Sequence, residues 1–100
     1  MQLYTTQRGD WICVARESFG LQPVQLATLC AIVAWDTVQD GEPMPVTELF
    51  RAASESDGFY RLNAHQAPGE LMRLGLLKRV GPPHQRGYTP TMAGRRRVRA

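Results

Sequence analysis

The stretch Leu71-Met72-Arg73-Leu74-Gly75-Leu76-Leu77-Lys78-Arg79 decides how this 100-residue chain reads. It continues through Gly81-Pro82-Pro83-His84-Gln85-Arg86-Gly87-Tyr88-Thr89-Pro90 to Thr91 and Gly94-Arg95-Arg96-Arg97. Ala67, Leu71 and Leu74 recur at helical spacing with Met72 beside them, and Gly75 supplies the stop. Leu76 to Val80 then reads as a strand. Pro82 and Pro83 cannot continue it, because proline has no N–H to give to a ladder. Gly87-Tyr88-Thr89 reads as the returning partner strand, and Thr91 as the cap of a last helical turn through Arg95 to Arg97. The order is helix, hairpin, basic terminus.

Upstream, the start of that helix has two solutions, because proline in a helix interior costs about 3 kcal/mol. Either Asn63 caps a helix that kinks at Pro68, or a loop runs to Ala67 and Pro68 opens a short helix. Ser54 to Gly58 is polar and turn-like. Before it, Val46, Leu49, Phe50 and Ala53 predict a helix over about 46–54. Val24, Leu26, Ala27, Leu29, Cys30, Ile32, Val33, Trp35 and Val38 predict a central buried helix from Pro23 to about Gln39, stopped by Asp40-Gly41 with Pro43 and Pro45 beyond. At the start, Asp10 predicts an N-capped helix over about 11–18. The alternative is a hairpin pairing Leu3-Tyr4-Thr5 with Ile12-Cys13-Val14 across Arg8-Gly9-Asp10.

Charge is distributed unevenly. Residues 1–60 hold three arginines against eight acids (net −5), whereas residues 61–100 hold nine Lys or Arg against Glu70 alone (net +8). A basic half on an otherwise acidic chain points to a polyanionic partner; the competing reading of its end is a solubilising arginine tail. One hundred residues suffice for one domain with a single core, which a homodimer would reinforce. No apolar run reaches membrane-spanning length, and the first residues have neither the basic nor the apolar part of a secretion signal, so the expectation is a cytoplasmic protein without a membrane partner.

Cys13 and Cys30 form no CxxC pair, and His65 and His84 have no ligand partner at metal spacing, so neither a metal nor a cofactor is expected. Both cysteines sit among apolar residues, where a buried structural thiol is the default. Trp11, Trp35, Phe50, Phe59 and Tyr60 are expected in the core or at a dimer interface. With no Ser/His/Asp or Cys/His arrangement and no phosphate-cradling loop, an enzyme is the least supported class.

Phe19-Gly20-Leu21-Gln22-Pro23-Val24-Gln25-Leu26-Ala27-Thr28-Leu29 resembles the entry into the second helix of the MarR-type transcriptional regulators. Leu74 to Arg79, a wing with Arg86, and Tyr88-Thr89-Pro90-Thr91-Met92-Ala93-Gly94-Arg95 resemble that family's recognition-helix end, wing and following helix. The wing tip departs from the family pattern: Pro82-Pro83-His84-Gln85 precedes Arg86 where an acid usually neighbours the arginine. The resemblance covers about residues 19–97. It implies a mainly α protein with a small β-hairpin, the winged helix-turn-helix, as a single domain. Residues 1–20 would be a helical or hairpin extension, 21–91 the core, and 92–100 a basic tail.

It also implies a sequence-specific, dimeric regulator of transcription, a repressor, bound to double-stranded DNA. The third helix would enter the major groove and the wing would meet backbone or minor groove. The candidate contacts are Asn63, His65, Gln66, Glu70 and Arg73 on the reading segment, then Lys78 and Arg79 at the strand start. His84 and Arg86 follow on the wing, and Arg95, Arg96 and Arg97 at the end. Some relatives sense peroxides through a cysteine in the first helix, which makes Cys13 a candidate sensor, supported only by Arg16 one turn on. The alternative function is a protein-interaction module of phage or plasmid type, which the acidic first sixty residues and Pro68-Gly69 favour.

Overall fold

A computed structural model describes residues 2–5, 11–14, 20–57 and 61–99. Its elements, in order, are β1 (Gln2–Thr5), β2 (Trp11–Val14), α1 (Pro23–Val38), β3 (Met44–Pro45) and α2 (Val46–Glu55). They continue with α3 (Ala67–Arg73), β4 (Leu77–Val80), β5 (Gly87–Pro90), α4 (Met92–Arg97) and β6 (Val98–Arg99). The four helices surround one core, and two small antiparallel sheets are ordered β1-β2-β6 and β3-β5-β4.

The central helix forms where the apolar density predicts it. Pro23 occupies its first turn, where a missing N–H costs nothing, and the Gln22 N–H donates to Gln25 Oε1 at 3.0 Å. Leu26, Leu29, Cys30, Ile32, Val33 and Ala34 are buried on several sides of α1. It ends where Asp40 (φ 52°) and Gly41 (φ 85°) turn left-handed, a conformation that Asp tolerates and Gly adopts freely. α2 buries Leu49 and Ala52. Phe50, expected in the core or at an interface, is 40% exposed, because it sits on the outer face of this short helix. Trp35 packs half-buried against the core. The same expectation for Trp11, Phe59 and Tyr60 falls outside what is described.

Three expectations are corrected. The segment expected to begin a helix at 11–18 is strand through Val14, with Leu3 opposite Cys13 and Tyr4 opposite Ile12, which is the hairpin alternative; residues 15–19 lie outside the described set. Trp11-Ile12-Cys13-Val14 is an aromatic and β-branched run, and pairing overrides the weak Asp10 cap signal. Residues 92–99 are not a tail. Thr91 Oγ1 accepts from the Gly94 N–H at 3.1 Å and starts α4, after which Val98 and Arg99 pair with Val14 and Cys13 of β2. Leu74, expected on the apolar face of α3, is 57% exposed, because the helix ends at Arg73 and the chain leaves through Gly75 (φ 77°). Leu76 fills the core instead.

The register of the second sheet follows from two bonds. Val46 N–H donates to the Arg86 carbonyl at 3.1 Å, and Thr91 N–H to the Leu76 carbonyl at 3.1 Å. With Met44 opposite Tyr88 and Lys78 opposite Thr89, the backbone groups of β5 alternate between β3 on one side and β4 on the other. β3 is an edge strand, with Pro43 before it and Pro45 in it.

Candidate nucleic-acid interface

The segment leading into α3 is held by one side chain. Asn63 Oδ1 accepts from the backbone N–H groups of both His65 (2.8 Å) and Gln66 (2.7 Å), an Asx turn that aims the chain into the helix. The Asn63 N–H donates in turn to Thr28 Oγ1 at 3.2 Å, which anchors this turn to α1. The helix opens at Ala67 with Pro68 in its first turn, so the second of the two sequence solutions holds. Ala67, Pro68 and Leu71 are buried, and Gly69, Glu70 and Arg73 face out. His65 and Gln66 are exposed, and the His65 ring stands edge-on to Phe50 with centroids 4.8 Å apart.

Lys78 and Arg79 are both exposed on β4 and, by strand alternation, lie on opposite faces of the sheet. The Arg79 guanidinium carbon is 6.0 Å from the centre of the Tyr88 ring, at the outer limit of a cation–π contact. Residues 81–86 join β4 to β5, and every one of them is exposed. This wing is stiff. Pro82 and Pro83 have fixed φ, Pro83–Gln85 forms a 3-10 turn, and the Gln85 N–H closes on the Pro82 carbonyl at 2.9 Å. Gly81, at φ 95°, passes so close to the turn that a Cβ there would sit 2.6 Å from the Gln85 carbonyl oxygen. His84, Gln85 and Arg86 form the tip. A cleft of about 750 Å³ is lined by Pro45, Val46 and Thr47 together with Val80, His84 and Arg86.

The three arginines of α4 differ. Arg95 makes a two-pronged bond to Asp36 of α1, Nε to Oδ2 and Nη2 to Oδ1, both 3.1 Å, and this bond raises its already high pKa. Its fork is therefore engaged in holding α4 to α1. Arg96 is exposed and Arg97 half-buried. On α2, Arg51 bridges Glu48 and Glu55, so the exposed face of that helix carries its one cation between two acids. The expected site residues thus divide into an α3 approach (Asn63, His65, Gln66, Arg73), the β4–β5 hairpin (Lys78, Arg79, His84, Arg86) and a pair of helices stapled by Arg95. Gln85 and the cleft wall were missed: β3 is two residues long, too short for any periodicity to reveal.

Cys30 is buried among apolar side chains, and burial pushes its thiol up to about 12. Among the described residues, no group of three or more His, Cys, Asp or Glu is placed to hold a metal ion. No helix among them is long and apolar enough to cross a membrane. Comparison with protein-family models, with curated proteins and with solved structures finds no significant match to this chain.

Proposed function

We propose that this chain is a winged helix-turn-helix domain that binds double-stranded DNA as a homodimer and regulates transcription, as a repressor, in the manner of the MarR-type proteins it resembles. The observation that carries the reading is the stiff, fully exposed wing with His84 and Arg86 at its tip and Lys78 and Arg79 at its base. The order α1, β3, α2, α3, β4, wing, β5 with sheet order β3-β5-β4 supports it, since it sets a two-turn helix directly before a basic hairpin. Lys78, Arg79 and Arg96 suit phosphate contacts, which fix register without reading sequence.

Titration of a labelled duplex by the whole chain at increasing salt is the test. Four to six neutralised phosphates give a log–log slope of about −4 to −5. Reversing charge at Arg73 and Arg86 lowers affinity by about tenfold or more, while Arg96→Ala lowers it far less. Absence of binding at low salt, or binding that ignores salt, refutes the proposal.

A protein-interaction module is favoured by one different observation. Leu74 (57% exposed) and Met92 (67% exposed) are the chain neighbours of Gly75 and Thr91, which are joined where Thr91 Oγ1 donates to the Gly75 carbonyl at 2.6 Å. Exposed apolar side chains suit a protein partner better than a phosphate backbone.

A further inference from the structure

We propose, resting on the DNA-binding reading above, that base discrimination resides in the wing and not in α3, and that the preferred duplex presents a narrow, A·T-rich minor groove. The outward surface of α3 is poor in readers. Gly69 has no side chain, Glu70 is repelled by phosphate, and Leu74, just beyond the helix, is apolar. Of the two carboxamides able to pair bidentately with adenine, Asn63 has its oxygen committed to two backbone N–H groups. His65 lies against Phe50. Gln66 and Arg73 are what remains, one at each end of a seven-residue helix.

The wing has the opposite character. It is preorganised by Pro82, Pro83 and the Gly81 turn, so holding it in place on DNA costs little additional ordering. Its three exposed tip side chains match what a minor groove offers. Arg86 and His84 are drawn to the enhanced negative potential of a narrow groove, and Gln85 can donate to the adenine N3 and thymine O2 acceptors. Guanine places an amino donor in the same groove, which blocks this approach.

The experiment uses the whole chain and three end-labelled duplexes of two helical turns that differ only in a central run of A·T, G·C or inosine·cytosine pairs. Inosine·cytosine shows the major-groove pattern of G·C but lacks the guanine amino group in the minor groove. Minor-groove reading therefore predicts A·T and inosine·cytosine binding alike within about twofold, and G·C about tenfold weaker. In the protein, Arg86→Ala and His84→Ala flatten this preference. Glu70→Gln tightens all three duplexes equally and leaves it intact. Equal loss on inosine·cytosine and G·C places the reading in the major groove and overturns the inference, as does binding with no preference; in both cases DNA binding itself stands. Failure to bind any duplex at low salt overturns both.

Discussion

Gly94 stands beside three arginines and looks like filler, yet it is buried, and a Cβ on it would strike the Leu76 carbonyl. The contact joins α4 to the bend between α3 and β4, so no local pattern announces it. Gly94→Ala is expected to cost about 2–3 kcal/mol, read as a lowered urea midpoint, because a backbone carbonyl cannot step aside as a side chain can. Asn63 was legible as a polar, cap-forming residue but not as the holder of two N–H groups ahead of Pro68. Asn63→Ala should cost about 1 kcal/mol in the same assay. Cys30 gives a pH test. Its folded pKa of about 12 exceeds the ordinary 9.0, so the folded state keeps a proton that the unfolded chain gives up as pH passes 9. Stability contributed by the neutral thiol is full below pH 9 and declines between about 9 and 12, and Cys30→Ala flattens that decline in alkaline urea titrations.

At the scale of elements, sequence served best where periodicity is long. α1 and α2 lie within a residue or so of expectation, because dense apolar spacing and proline-glycine stops act locally. The first element was ambiguous for a physical reason: its four-residue apolar run suits a strand as well as a helix turn, and only a partner strand decides. Pro68 makes the sharpest test. As an interior residue it would weaken α3, and Pro68→Ala would stabilise the protein. In the first turn its missing N–H is harmless, its φ is preset, and its ring is buried. Pro68→Ala is therefore expected to destabilise by about 1–2 kcal/mol through lost packing, despite alanine's higher helix propensity. A higher urea midpoint in the variant would contradict this placement.

Over the whole molecule, the acidic and basic halves seen in the sequence are not two separate surfaces. Asp36 of the acidic half grips Arg95 of the basic half, and the last strand returns to the first hairpin, with Val98 buried opposite Val14. Pairing between residues so far apart in the chain leaves no trace in any window, which is why the end read as a tail. Deleting residues 95–100 should accordingly lower the melting temperature, and an unchanged melt would return the segment to the status of a solvated tail. The second sheet is also closed to growth on one side. Since Val46 N–H points to β5, the alternating residues Pro43 and Pro45 direct their backbone nitrogens outward, and proline has no hydrogen there to offer. The edge that a neighbouring chain would need for templated pairing thus presents no donor. The β4–β5 hairpin can stand exposed at high concentration without its sheet seeding aggregates along β3.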